Sequence, residues 1–188
     1  MLQKIRIIIR IVVTTWTFMT KESIRRDMLL KRKSLENTEL EILTNELIER
    51  IESHPRFTMA TKIGLYYPIN QEPNLLILMT RHQDKRFYFP RVVDNQISYF
   101  LVNDLNDLEK TVFQLFEPKL TLPESNDLDL YLIPCVATTG CYRIGYGRGY
   151  YDQYLKRNKG YTIGVTMPFA KFQQGYEESH DIALDEIL

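Results

Sequence analysis

Residues Leu128–Lys156 are the clearest indication of the fold, and they read L-D-L-Y-L-I-P-C-V-A-T-T-G-C-Y-R-I-G-Y-G-R-G-Y-Y-D-Q-Y-L-K. It begins with Leu128–Val136, an apolar run with the composition of a buried β-strand. It ends with Tyr150–Lys156, which we predict to be a helix. A glycine-rich loop lies between them, and the order strand, loop, helix is the repeating unit of α/β proteins.

Strands and helices also alternate along the rest of the chain. We predict helices at Lys21–Lys33 with Thr20 as its N-cap, from Thr38 to the His54-Pro55 step with a Thr38–Glu41 capping box, and at Pro73–Arg81. We predict strands at Thr61–Tyr67, Arg86–Phe89, Gln96–Val102 and Tyr161–Thr166, a turn at Arg91–Asn95 and a surface loop at Thr111–Asp127. This order predicts an α/β fold: a single three-layer domain with a mostly parallel central sheet flanked by helices.

Length and charge limit the classes of function. The chain has 188 residues, which predicts one domain with one core, and its 24 basic residues balance 24 acidic ones. A neutral chain has no general attraction to nucleic acid or to an anionic membrane, so any anion site must be local and we expect neither partner. Cys135 and Cys141 form no C-x-x-C pair, and we interpret them as reduced thiols of a cytoplasmic protein.

The first eighteen residues, Met1–Phe18, are basic and apolar. Arg6 and Arg10 interrupt the apolar run, and no small-residue cleavage site follows, which argues against a signal peptide. The alternatives are an upstream extension that begins before the natural start at Met19, or a real targeting segment. We treat residues 1–18 as an extension outside the core and residues 19–188 as the domain.

The glycine-rich loop carries the predicted chemistry. Gly145, Gly147 and Gly149 stand at alternate positions. Glycine allows positive φ and a close approach of the backbone to a ligand, so successive N–H groups can form a concave anion site at the start of a helix. The spacing fits neither a P-loop nor a dinucleotide-binding fingerprint, and by itself it is also compatible with a tight surface turn.

Charged residues flank these glycines. Arg143 and Arg148 have the forked donors that bind phosphate oxygens, and Asp152 is a hard oxygen ligand suited to Mg²⁺. The pattern therefore favours a nucleotide-phosphate site for ATP with Mg²⁺. The alternative for Asp152 is a favourable charge at the start of its helix.

The same segment resembles the signature of the 5-formyltetrahydrofolate cyclo-ligase (5,10-methenyltetrahydrofolate synthetase) family, which runs R-[LI]-G-x-G-x-G-Y-Y-D. The residues that match are Arg143, Ile144, Gly145, Gly147, Gly149, Tyr150, Tyr151 and Asp152. The resemblance extends over most of residues 19–188 through a K-x-x-x-R helix (Lys21, Arg25), a strand and glutamate loop (Gly64–Glu72), a lysine and strand that end in proline (Lys85–Pro90) and a final H-D-x-x-x-D (His180, Asp181, Asp185). Cys135–Gly140 departs from the family pattern, because it lacks a glycine and an aromatic residue found there.

The resemblance implies an ATP- and Mg²⁺-dependent ligase that converts 5-formyltetrahydrofolate to 5,10-methenyltetrahydrofolate and releases ADP and phosphate. The formyl oxygen is phosphorylated, and N10 then attacks the activated carbon. It further implies roles for individual residues. The catalytic residues would be Arg143 and Arg148. The nucleotide would be bound by Lys21, Arg25 and residues Arg143–Tyr151 (Arg143, Ile144, Gly145, Tyr146, Gly147, Arg148, Gly149, Tyr150, Tyr151). The folate would be bound by Tyr67 and Glu72, and Mg²⁺ by Asp152 and Asp185.

Two other classes of function remain open. One is a non-catalytic protein that binds nucleotide or folate, which the altered Cys135–Gly140 stretch favours. The other is a small-molecule kinase that uses the same phosphate loop on a different acceptor. Lys21 and Arg25, Glu72 and Asp185 could likewise be ordinary solvated charges. We expect a monomer whose partners are ATP and 5-formyltetrahydrofolate.

Overall fold

The computed structural model describes residues 20–111, 115–173 and 175–188. The predicted extension at residues 1–18 and three residues of the predicted 111–127 loop therefore lie outside the described residues. Within the described ranges the helices are α1 (Lys21–Lys33), α2 (Asn37–Glu52), α3 (Pro55–Met59), α4 (Ile77–Arg81) and α5 (Tyr150–Leu155). The strands are β1 (Lys62–Gly64), β2 (Arg86–Val93), β3 (Gln96–Val102), β4 (Leu108–Lys110), β5 (Phe116–Pro118), β6 (Leu130–Pro134), β7 (Ala137–Thr139), β8 (Tyr142–Ile144), β9 (Tyr161–Val165), β10 (Lys171–Phe172) and β11 (Glu186–Ile187).

Six of these strands form the central sheet, in the order β11-β9-β6-β1-β2-β3. All neighbouring pairs are parallel except β2 and β3, which form an antiparallel hairpin at one edge. Asp94 and Asn95 close the hairpin with φ of 48° and 61°, the left-handed values that a two-residue hairpin turn requires. The predicted α/β fold with a mostly parallel sheet is confirmed.

The sheet separates two apolar clusters, because alternate side chains of a strand point to opposite faces. In β6, Leu130 and Leu132 pack into the cluster that also contains Leu47 and Ile51 of α2. Tyr131 and Ile133 pack into the cluster that contains Tyr154 of α5. The helices therefore cover both faces of the sheet, and the carboxyl end of β6 leads into the glycine-rich loop by way of β7 and β8.

Several predicted boundaries were wrong. β2 continues through Pro90, because β1 pairs with β2 only as far as Tyr88, so the missing amide of Pro90 costs no bond on that side. The predicted Thr61–Tyr67 strand and Pro73–Arg81 helix shorten to β1 and α4. The predicted surface loop contains β5, which pairs with β4. Thr20 and Ser23 form a capping box on α1, whereas α2 begins at Asn37 without a side-chain cap, so the predicted Thr38–Glu41 box is absent.

A second, three-stranded sheet holds β8 in place, with the order β10-β7-β8. β7 and β8 pair antiparallel, and the Val136 amide donates to the Ile144 carbonyl oxygen at 2.9 Å beside them. This sheet sets where the chain enters the loop at Gly145. Among the described residues, no helix has both the length and the apolar character to cross a membrane.

Candidate active site

One cavity of about 800 Å³ opens at the glycine-rich loop. Its walls come from the start of α1, the segment after β1, parts of β2 and β3, and the segment near the C-terminus. The sequence-predicted site residues that line it are Lys21, Arg25, Tyr67, Glu72, Arg143, Ile144, Gly145, Tyr146, Gly147, Arg148, Gly149, Tyr150, Tyr151 and Asp152. Residues from distant parts of the chain therefore meet at a single place.

The glycines of the loop allow its backbone conformation and also leave room for the Arg143 side chain. Gly147 and Gly149 have φ of 91° and 69°, so a side chain at either position would be strained. A Cβ at Gly145 would lie 2.0 Å from a guanidinium nitrogen of Arg143. The absence of that carbon lets Arg143 fold back along the loop, a packing reason for glycine that the spacing alone does not reveal.

Arg143 lies beneath the loop and is only 8% exposed. Its Nη1 is 3.6 Å from Asp152 Oδ2, and its guanidinium lies 4.7 Å from the ring centroid of Tyr151. Its Nε has no hydrogen-bond partner among the described residues. The Arg143 guanidinium is thus contacted by Asp152 and Tyr151, while its Nε–H remains available as a donor. Arg148, in contrast, is exposed at the tip of the loop.

The first helix brings its two predicted cations to the same cavity. Arg25 Nε donates to the Gly145 carbonyl oxygen at 2.6 Å. Lys21 forms an ion pair with Asp181 and lies 3.5 Å from Glu178 Oε2. Burial would raise the pKa of Asp181, but the hydrogen bond from Lys21, with the Glu178 amide, lowers that pKa below its usual value. The side chains of Lys21 and Arg25 therefore make contacts at the cavity and do not form a solvated face of the helix.

Glu72 faces the loop from the other side of the cavity and is 4% exposed. Its Oε2 accepts from the Ile69 amide at 3.1 Å, and its Oε1 accepts from the Tyr146 hydroxyl at 3.0 Å. Burial raises the pKa of Glu72, while the Ile69 amide and the Arg32 guanidinium act in the opposite direction. This carboxylate is a buried, oriented acceptor rather than an exposed loop acid.

Arg32 does not line the cavity, but it contacts Glu72 from behind, and we did not predict this role. It is fully buried in the last turn of α1, donates to the Cys135 and Val136 carbonyl oxygens, and places Nη1 3.9 Å from Glu72 Oε1. Its spacing contained a signal, because Arg32 follows Arg25 by seven residues and so lies on the same face of the helix. A basic last turn is otherwise expected to be solvated.

Asp185 does not line the cavity. Its Oδ2 accepts from the Thr162 amide at 2.8 Å and from the Thr162 hydroxyl at 2.7 Å, which ties the chain to the start of β9. The structure therefore does not bring Asp185 together with Asp152, and its role as a metal ligand stays a prediction without support from the geometry. Among the described residues, no group of three or more His, Cys, Asp or Glu side chains could hold a metal ion.

The stretch that departs from the family pattern lies away from the cavity. Cys135 is fully buried, and β7, which follows it, is buried as well. Residues 135–140 are all described, and none of them lines the cavity. The departure therefore changes the packing behind the loop rather than the wall that faces a ligand.

Comparisons with known proteins identify the family of the chain. The model of the 5-formyltetrahydrofolate cyclo-ligase family matches residues 18–188. The chain is 29% identical to a 5-formyltetrahydrofolate cyclo-ligase of Mycoplasma pneumoniae, over 90% of this chain and 98% of the relative. It is 27% identical to a protein of the same name from Mycoplasma genitalium, over 89% of this chain and 96% of the relative.

Two solved structures are also similar. One is the NMR structure of Aquifex aeolicus 5,10-methenyltetrahydrofolate synthetase, with a TM-score of 0.81, 33% identity and coverage of 90% of this chain and 89% of that one. The other is a 5,10-methenyltetrahydrofolate synthetase from Mycoplasma pneumoniae, with a TM-score of 0.74, 24% identity and coverage of 90% and 98%; this second likeness bears on the fold alone. Since the family model spans nearly the whole chain, the protein belongs to the 5-formyltetrahydrofolate cyclo-ligase family.

Proposed function

We propose that this protein is a 5-formyltetrahydrofolate cyclo-ligase that uses ATP to make 5,10-methenyltetrahydrofolate, ADP and phosphate. One observation carries the proposal: a single cavity joins a cation-rich glycine loop to a buried carboxylate. Arg25 and Arg143 are next to the loop, and Glu72 lies opposite them. This arrangement suits a reaction that must hold a phosphoryl donor and a polar heterocycle side by side.

The loop and the first helix form the nucleotide half of the site. Arg143 presents an unpaired buried donor, Arg148 stands at the loop tip, and Arg25 is already fixed on Gly145. Charge-assisted hydrogen bonds from guanidinium groups are the strongest contacts for phosphate oxygens. Lys21 completes the set, although its ion pair with Asp181 must loosen if its ammonium is to reach a phosphate.

Asp152 fits the requirements for Mg²⁺. Magnesium usually takes one or two protein carboxylates together with substrate phosphates, so a single well-placed carboxylate is sufficient. The side chain of Asp152 is 13% exposed and lines the cavity next to Arg143. When bound, Mg²⁺ would neutralise phosphate charge. We leave Asp185 out of this proposal because, unlike Asp152, it does not line the cavity.

The opposite wall forms the folate half. Glu72 offers acceptor oxygens for the N–H groups of a pterin. Tyr67 packs against Phe116 with ring centroids 4.9 Å apart, which gives an aromatic surface in the same cavity as that carboxylate. Aromatic rings favour stacked or edge contacts with planar ligands. We therefore assign Glu72 to polar recognition and Tyr67 to stacking.

The chemistry needs position more than a protein nucleophile. The formyl oxygen attacks the γ-phosphorus, and ADP leaves. N10 then attacks the formyl carbon, which closes the five-membered ring, and loses its proton. The carbon–oxygen bond breaks to release phosphate and leaves the methenyl bridge. In phosphoryl transfer the protein mainly aligns the groups and balances charge. Arg143 and Arg148 would stabilise the negative charge that develops on the phosphoryl oxygens, and Glu72 would hold the heterocycle in position for the reaction.

The cellular location and the oligomeric state of the protein are part of the proposed function. Both cysteines are free thiols, as predicted, and reduced thiols are typical of the cytoplasm. We therefore propose a cytoplasmic enzyme that acts as a monomer, because one chain supplies residues for both halves of the cavity.

A direct assay tests the proposal. Purified protein is incubated with 5-formyltetrahydrofolate, ATP and Mg²⁺, and the methenyl chromophore is followed by absorbance while ADP is measured in parallel. We expect equal amounts of methenyl product and ADP. Tight binding of both ligands without product would indicate the non-catalytic protein, and ADP release only with another acceptor would indicate a small-molecule kinase.

A further inference from the structure

Tyr146 connects the two halves of the cavity. It lies between Gly145 and Gly147 in the nucleotide loop, yet its hydroxyl donates to Glu72 Oε1 at 3.0 Å, across 74 positions of sequence. The Tyr146 hydroxyl oxygen in turn accepts from the Asn70 side-chain amide at 3.4 Å. A residue of the phosphate loop thus reaches the carboxylate that we assign to the folate.

The direction of this hydrogen bond is set by its surroundings. Tyr146 is 37% exposed, yet the partial burial of its phenol raises its pKa and the nearby Glu72 carboxylate raises that pKa further, so the phenol keeps its proton. Glu72 Oε2 is already occupied by the Ile69 amide. The Tyr146 O–H therefore fixes the remaining oxygen, and together the two donors set the orientation of the carboxylate.

The position of Tyr146 depends on the backbone of the loop. Gly147 adopts φ of 91°, and the loop contacts α1 through the Gly145 carbonyl oxygen. Holding glycine-flanked backbone in one arrangement costs conformational entropy. A ligand that anchors the loop removes part of that cost before a second ligand arrives, which makes the second ligand bind more tightly.

We propose that Tyr146 is a positioning residue that couples the two substrates: phosphate contacts to the loop fix Tyr146, and Tyr146 then holds Glu72 in the orientation that binds the folate. The inference rests on the proposed function, because it takes the loop as the nucleotide half and Glu72 as the folate half. Coupling is reciprocal, so folate strengthens nucleotide binding by the same factor.

Calorimetry on the full chain measures this coupling. The dissociation constant of 5-formyltetrahydrofolate is determined with and without an ATP analogue whose β–γ bond cannot be hydrolysed, in the presence of Mg²⁺. In the unaltered protein we expect the analogue to tighten folate binding by about fivefold or more. In Tyr146→Phe that ratio falls to about one.

Tyr142→Phe is the matched control, since Tyr142 lies in β8 just before the loop and does not line the cavity. It should keep the ratio of the unaltered protein. A ratio in Tyr146→Phe equal to that of the unaltered protein overturns the coupling role, as does a ratio of one in the unaltered protein. Failure of the unaltered protein to bind either ligand overturns the proposed function itself, and the inference with it.

Discussion

Arg25 Nε lies 2.6 Å from the carbonyl oxygen of Gly145, and this hydrogen bond joins residues 120 positions apart in the sequence. It attaches the first helix to the glycine loop. Gly147 also lies next to this guanidinium, because a Cβ there would be 3.3 Å from Arg25 Cζ. The K-x-x-x-R helix and the R-I-G-Y-G-R-G loop are therefore parts of one site, although nothing in their separation along the chain requires it.

Replacing Arg25 with alanine should weaken nucleotide binding. The change removes a cation and releases the loop carbonyl, and loss of a charge-assisted hydrogen bond costs about 1.5–3 kcal/mol, so the KM for ATP should rise about tenfold or more. The KM for 5-formyltetrahydrofolate should change less. Steady-state kinetics with each substrate varied in turn measures both.

Arg26→Ala is the control for that change. Arg26 is the next residue, its side chain is 69% exposed, and it pairs only with the neighbouring Asp27 among the described contacts. Exposed pairs of this kind contribute little. Kinetics of Arg26→Ala should therefore match those of the unaltered protein, and an equal defect in both variants would contradict the role of Arg25.

Asp152 and Asp185 can be separated by their response to magnesium. Asp152→Asn should lower turnover and raise the Mg²⁺ concentration needed for half-maximal rate, because it removes a carboxylate next to the phosphate loop. Asp185→Asn should leave the Mg²⁺ dependence unchanged while weakening the contacts to Thr162 and lowering thermal stability. Titration of Mg²⁺ in the enzyme assay distinguishes them, and a shift only in Asp185→Asn would reverse the assignment.

The buried pair of Arg32 and Glu72 predicts a large effect on stability. Arg32→Met should lower the free energy of unfolding by about 3–5 kcal/mol, because it leaves a buried carboxylate without its nearby cation. Adding Glu72→Gln should recover part of that loss, since the remaining group is neutral. Urea unfolding of the two single variants and the double variant measures the coupling, and strict additivity would show that the pair does not interact.

The two cysteines should differ sharply in reactivity. Cys135 is fully buried, and burial raises the pKa of its thiol to about 11, whereas Cys141 is exposed. At pH 8 a thiol with that pKa is only about 0.1% thiolate, and the thiolate is the reactive form. Native alkylation with iodoacetamide followed by mass spectrometry should modify Cys141 alone, with both cysteines modified after denaturation. Rapid native labelling of Cys135 would contradict its burial.

Several features that depend on local interactions were predicted correctly, whereas several that depend on contacts distant in sequence were not. The bounds of α1 and β3 were predicted correctly because caps and alternation are local signals. β2 could not be followed past Pro90, since the tolerance of that proline depends on where β1 stops pairing.

The same limit applies to the site. The cations of the loop and first helix were recognisable, but Arg32 was missed because its burial depends on carbonyl groups 103 and 104 residues away. Asp185 matches the family pattern in sequence, yet its contacts are with Thr162. Only the packed fold shows which member of an acidic motif faces the cavity.

We propose that the γ-phosphoryl group of ATP is transferred, within this one cavity, directly onto the formyl oxygen of the folate. The most direct measurement uses 5-formyltetrahydrofolate labelled with ¹⁸O in the formyl group, with mass spectrometry of the phosphate released during turnover. We expect the label to appear in inorganic phosphate, in an amount equal to the methenyl product. Unlabelled phosphate, with the ¹⁸O recovered in water, would contradict it.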